Sequence, residues 1–189
     1  MTSELPDAHA RALLQTGRFV AGVGPDQWHD PTPCGDWDVR ALVNHVVAGN
    51  FWVAPLFAGR TIEEVGTRYD GDILGDDPVD AYQRSADEAR AAVLAEGAME
   101  APCAVSYGPV PGEIYAGHRL LDVVVHGWDI ATATGQDALV DPDLVAVCWA
   151  VVEPQLPLLA ASGMFGSPVE VATDASTGER LLAALGRHP

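Results

Sequence analysis

Apolar side chains recur at helical spacing along most of the chain. Leu5, Ala8, Ala12 and Phe19 keep one face of a first helix over Glu4 to Ala21, and Gly22 and Gly24 end it. Asp38 is suited to accept the first orphan N–H groups of a second helix that reaches Phe57. Its inward stripe reads Leu42, His45, Gly49, Trp52 and Leu56. After a polar linker over 59–76, Asp77 and Pro78 open a third helix toward Glu96, with Tyr82, Ala86, Ala89 and Val93 facing inward. A loop rich in proline and glycine follows over 101–112. The fourth helix runs from Glu113 to Thr134 and is closed by Gly135. A fifth opens at Asp141 and Pro142 and runs toward Ala161, where Pro154 and Pro157 kink or end it. The tail differs: Val169, Glu170 and Val171 alternate, predicting a short strand within Ser167 to Thr173, before a last helical turn or two over Gly178 to Leu185. Long amphipathic helices with so little strand predict an all-α helix bundle over 1–165, with 166–189 as a short C-terminal appendage packed on it.

Composition narrows the chemistry more than the fold. A chain of 189 residues, 48% of them apolar, buries a core without staples. Cys34, Cys103 and Cys148 are scattered and form no Cys-x-x-Cys pair, which argues against a disulfide framework and a thiolate zinc site and points to a reducing compartment. The start of the chain lacks a basic cluster followed by an apolar run, and no segment is long and apolar enough to span a bilayer, so a cytoplasmic protein without a membrane partner is expected. Twenty-seven acidic against ten basic residues give a formal charge of −17, which disfavours nucleic acid and anionic lipid as partners. There is no lysine, so Schiff-base chemistry and a phosphate-binding P-loop are excluded.

The fourth helix carries the polar positions that need an explanation. His118, Asp122 and His126 follow one another at four-residue intervals, on one face, among Leu120, Leu121, Val123, Val124 and Val125. A carboxylate and an imidazole in such company must pair with each other or bind an ion to offset desolvation. Residues eight apart on a helix stand about 12 Å apart along its axis, whereas zinc–ligand bonds are about 2 Å long. His118 and His126 therefore do not share an ion, although either shares one with Asp122. A third donor must come from another helix, and His45 in the inward stripe of the second helix is the candidate. Two histidines and a carboxylate leave a coordination position open, the pattern of a catalytic site. His118 stands as a partner of Asp122, an acid–base group in the pocket, or a surface histidine near the helix start. Asp129 shares the face and either accepts the free ring N–H of His126 or caps a neighbouring loop. Cys34, before the Asp38 cap, lies near the cavity or packs as a small apolar residue. Arg119 either steers an anionic substrate or is solvated.

The segments PTPCGDWDVRALVNHV (31–46) and LLDVVVHGWDIATATGQ (120–136) resemble the DinB-like metal-binding superfamily, in the actinobacterial branch that includes the mycothiol-dependent maleylpyruvate isomerase N-terminal domain. The resemblance covers nearly the whole chain. It implies an antiparallel four-helix bundle and a metal held by His45, Asp122 and His126. The isomerase has a glutamate where this chain has Asp122, which keeps the carboxylate and shortens it by one methylene. The resemblance further implies a small-molecule thiol, mycothiol, as cofactor and a small electrophile as substrate; the chain is expected to be a monomer or homodimer. Zinc suits the donor set best, and nickel, iron or cobalt are compatible with it. Three functions follow: a thiol-dependent transferase or isomerase, a metal-dependent hydrolase, or a metal-binding or stress-response protein without turnover.

Overall fold

A computed structural model describes residues 4–35, 37–156 and 165–189. By packing, the chain forms two compact units, Met1–Ala138 and Leu139–Pro189. The first contains α1 (Leu5–Ala21), α2 (Val39–Phe57), a single turn α3 (Ile62–Val65), α4 (Pro78–Val93), a two-stranded hairpin of β1 (Pro102–Val105) and β2 (Gly108–Pro111), and α5 (Gly112–Ala133). The second contains α6 (Pro142–Val152), a 3-10 turn over Glu153–Gln155 and α7 (Thr177–Ala184).

Local chemistry accounts for the helix starts. Asp38 accepts the Ala41 N–H at 2.8 Å, and Asp77 accepts the Asp80 N–H at 3.0 Å. Thr61 and Glu64 close a capping box on α3, inside what the sequence reads as plain linker.

The four long helices α1, α2, α4 and α5 form the expected bundle, and side-chain bonds give its directions. The Thr16 hydroxyl donates to the Val123 carbonyl and Gln136 donates to the Phe19 carbonyl, so α1 and α5 run parallel. Helix α2 runs against α5: His45 meets Asp122 near one end, Asn50 meets Arg119 midway, and Phe57 packs at Gly112 at the other end. The linker then returns along α2. Asn44 donates to the Gly71 carbonyl and accepts from the Ile73 N–H, and Arg40 reaches Asp72 and the Gly75 carbonyl. Helix α4 therefore starts beside the beginning of α2 and runs parallel to it, an up-down-down-up order. The C-terminal half of α5, the start of α2 and the loop between α1 and α2 meet at one end of the bundle.

Helix α5 is the central member, buried on nearly all sides from Tyr115 to Ala131. Val39, Leu42, Val43, Val46, Val47 and Val53 of α2, which packs on both α4 and α5, are all fully buried. Two glycines of α5 permit close approach: a Cβ at Gly127 would overlap the Thr16 hydroxyl, and one at Gly112 would overlap the Ala98 carbonyl.

Two expectations change. No strand forms over 167–173; Val169 gives its N–H to the Ala183 carbonyl at 3.0 Å, and no neighbouring strand is at hand to pair with it among the described residues. The expected loop over 101–112 instead holds the hairpin, with Pro102 opposite Pro111 and Val105 opposite Gly108, whose φ of +118° favours glycine at the turn. The α6 helix ends at Val152, where Pro154 lies within the 3-10 turn. Its expected continuation to Ala161, from 157 on, lies outside the described residues, as does the stretch up to 164 that adjoins the expected 165/166 boundary. No helix among the described residues is long and apolar enough to cross a membrane.

Candidate metal centre

Antiparallel packing of α2 on α5 brings His45, Asp122 and His126 together. Asp122 Oδ1 lies 3.3 Å from His45 Nε2 and 3.5 Å from His126 Nε2, and the two imidazole centroids are 5.0 Å apart. One donor atom from each residue lies within 4.8 Å of the other two. In a tetrahedral shell, bonds of about 2.0–2.1 Å separate neighbouring donors by roughly 3.3 Å. The carboxylate-to-imidazole spacings match that figure, and the donor types suit zinc, so these residues fit a divalent ion.

Two of the three side chains, His126 and Asp122, are held from behind. His126 Nδ1 lies 3.0 Å from Asp129 Oδ2, and Asp129 is fully buried. A proton on Nδ1 given to Asp129 leaves Nε2 with its lone pair toward Asp122 and His45, the arrangement by which a carboxylate fixes the tautomer of a ligating histidine. Asp122 Oδ2 accepts from Arg119 Nη1 at 2.9 Å, and Arg119 Nη2 donates to Asn50 Oδ1 at 3.2 Å. Burial raises the Asp122 carboxyl, but Arg119 and the two histidines outweigh it and hold that group well below its ordinary value. Burial likewise opposes charge on His126, yet Asp122 and Asp129 hold its pKa well above the ordinary value. His126 therefore favours its protonated form, and an ion at Nε2 would have to displace that proton.

The loop before α2 supplies two further side chains. Trp37 packs against both imidazoles, with centroids 4.7 Å from His45 and 6.1 Å from His126, and keeps 36% of its surface exposed. Cys34 lies within hydrogen-bonding reach of His126 and forms a second donor group with His126 and Asp129. The Thr32 hydroxyl braces this loop, donating to the Trp37 carbonyl at 2.8 Å and accepting the Cys34 N–H at 3.1 Å.

The structure brings His45, Asp122 and His126 together, and of the two alternatives for Asp129 the contact with His126 is the one found. Of the alternatives for Cys34, its place beside His126 is the one found. His118 belongs to neither donor group; its Nδ1 meets the Tyr107 hydroxyl at 3.2 Å. A solvated Arg119 is corrected: the side chain is buried at 8% exposure because it bridges Asn50 and Asp122. Its three-residue spacing to Asp122 is the signal that finds this contact. Asn50 and Trp37 carry no comparable signal, since each is placed by tertiary packing alone.

Residues 9–131 match the model of the mycothiol maleylpyruvate isomerase N-terminal domain family. The chain belongs to that family. An uncharacterized protein from each of two strains of Mycobacterium tuberculosis is 38% identical over 152 residues, covering 78% of this chain and 79% of its own length. Crystal structures of mycothiol-dependent maleylpyruvate isomerase and of a mutant of it superpose with a TM-score of 0.65 at 14% identity, over 88% of this chain and 74% of theirs. At that identity the likeness is one of fold, and it agrees with the DinB-like bundle. The family match spans α1 to α5, and so includes every residue of the candidate centre.

Proposed function

We propose that the protein holds one divalent ion, zinc in the first instance, through His45, Asp122 and His126, and uses a low-molecular-weight thiol of the mycothiol type to act as a transferase or isomerase on a small electrophile. The observation that carries this reading is the convergence of the three donors from two helices, at spacings that suit an ion. Membership of a family described by a mycothiol-dependent isomerase supports the thiol. A divalent ion, when bound, lowers the pKa of a water or thiol it carries, so the chain needs no nucleophile of its own.

The protein residues then have separate duties. His45, Asp122 and His126 supply three donors and leave room for an exogenous one. Asp129 keeps the His126 ring in one orientation and one tautomer. Trp37 offers an apolar face beside the imidazoles, suited to the carbon skeleton of a substrate or cofactor. A metal-binding protein without turnover is the second reading. It is favoured by that same indole, which packs against both rings and narrows the approach to them.

Elemental analysis of the purified protein, with variants, tests the ion. His45→Ala and His126→Ala are expected to abolish stoichiometric zinc, because two remaining donors hold a labile ion poorly. His118→Ala is expected to leave the stoichiometry intact, given its place beside Tyr107. Loss of zinc in His118→Ala with retention in His126→Ala would sink this donor set. Calorimetric titration with mycothiol tests the thiol: heat and proton release are expected for the zinc-loaded protein and not for His126→Ala. Neither heat nor protons from the zinc-loaded protein would leave the non-catalytic reading.

A further inference from the structure

Arg119 has its guanidinium built into the candidate centre, and its surroundings are specific. It is 8% exposed, donates to Asp122 Oδ2 at 2.9 Å and to Asn50 Oδ1 at 3.2 Å, and its Nε has no hydrogen-bond partner among the described residues. It crosses from α5 to α2 over Gly49. A Cβ at that position would stand 2.6 Å from the guanidinium carbon, so the side chain lies against bare helix backbone. Glycine in a helix interior costs about 1 kcal/mol relative to alanine. Here the missing side chain makes the space that lets the guanidinium reach across.

A bare cation next to a metal-binding carboxylate is at first sight a handicap, since it repels the ion and competes for the oxygens. Geometry divides the carboxylate between the two. Oδ2 faces Arg119, whereas Oδ1 faces His45 and His126. We propose that Arg119, seated on Gly49 and anchored by Asn50, is a positioning residue that reserves Oδ2 for itself, so that Asp122 offers a single oxygen to the ion and an exogenous ligand finds a position open. This rests on the proposed metal centre. A carboxylate free to offer both oxygens fills one more position around the ion and closes the site to a thiol. The planar guanidinium, with donors fixed in a fork, suits this duty; the point charge of a lysine does not bridge Asn50 and Asp122 in the same way. Metal binding in the Arg119 variants therefore separates two opposed effects. If the guanidinium mattered only as a charge, its removal would tighten cation binding. If it positions Asp122, its removal weakens binding.

The test uses cobalt(II) added to the full-length metal-free protein, with Arg119→Met to remove the guanidinium and Gly49→Ala to displace it while keeping its charge. Far-ultraviolet circular dichroism checks folding of both. The wild type is expected to bind one cobalt with the strong visible absorption of a four-coordinate ion, and that spectrum is expected to change when a simple thiol is added. Both variants are expected to bind cobalt about 10–100-fold more weakly, as loss of a ligand's supporting partner does. Their visible bands are expected to differ from those of the wild type, as for a changed donor set, and to respond less to thiol. Equal or tighter binding by Arg119→Met or by Gly49→Ala, with the wild-type spectrum, overturns the assignment while leaving the metal centre standing. A wild type that binds no cobalt removes the metal centre and this inference with it.

Discussion

At the scale of single residues, His9 raises a question separate from the metal. It lies on α1, fully buried, and neither ring nitrogen has a hydrogen-bond partner among the described residues. Burial, with Arg119 adding to it, pushes its pKa down to about 3. The unfolded chain protonates this imidazole near pH 6.5 and the folded chain does not. Between those values the unfolded state binds the extra proton, so stability is full above about pH 6.5 and is lost as the pH falls. The slope from this one group approaches about 1.4 kcal/mol per pH unit. Urea denaturation at pH 7 and pH 5 should show a steeper loss for the wild type than for His9→Leu; parallel losses would mean that His9 takes up a proton in the folded protein. Legibility differs sharply among residues at this scale. Asp122 and His126 stand out because they are polar at helical spacing in an apolar run. His9 sits in the same kind of apolar face, but with no carboxylate or second imidazole in register on α1, and so gives no signal.

Helices show the converse. Their existence and starts are legible because caps and periodicity are local, and the structure places Asp38, Asp77 and Asp141 at N-caps. Directions of packing are not legible, because they depend on how the linker over 58–77 returns along α2, which is set by Asn44 and Arg40 reaching loop atoms some thirty residues away. The hairpin is hidden for a related reason: its strands contain three prolines, a composition that reads as loop. Gly112 is where these elements converge, with a Cβ there overlapping the Ala98 carbonyl, a backbone atom that cannot swing aside. Gly112→Ala should therefore destabilise by about 1–3 kcal/mol despite the better helix propensity of alanine. Chemical denaturation checks it, and a neutral or stabilising substitution would show that the α4–α5 connection yields easily.

The whole molecule carries a charge of −17, and exposed ion pairs do little to offset it. Arg84–Asp80, one helical turn apart on α4, and Arg60–Glu64, at the start of α3, are exposed pairs, each worth well under about 1 kcal/mol. Long-range repulsion among the acidic groups outweighs them, and salt weakens it as the Debye length falls from about 30 Å at 0.01 M to about 8 Å at 0.15 M. The melting temperature of the metal-free protein should rise with sodium chloride over that range, measured by scanning calorimetry. A fall would show that local pairs dominate. The direction of this effect is legible from composition alone, because it depends on the sum of the charges far more than on their placement.

The up-down-down-up order also has a kinetic consequence. His45 and Asp122 are separated by 77 positions, and the chain between them includes a helix that must first double back alongside α2. In the denatured ensemble only Asp122 and His126 are neighbours, and two donors on a fraying helix compete poorly with water for an ion. An ion held as proposed would therefore discriminate between native and denatured chains and enter as a late arrival. By mass action it would deepen the native basin by about 2.7 kcal/mol at a hundred times its dissociation constant. Since the complete donor set forms only once α2 has docked on α5, that gain lies on the native side of the barrier. Added metal should slow unfolding while leaving the refolding rate almost untouched.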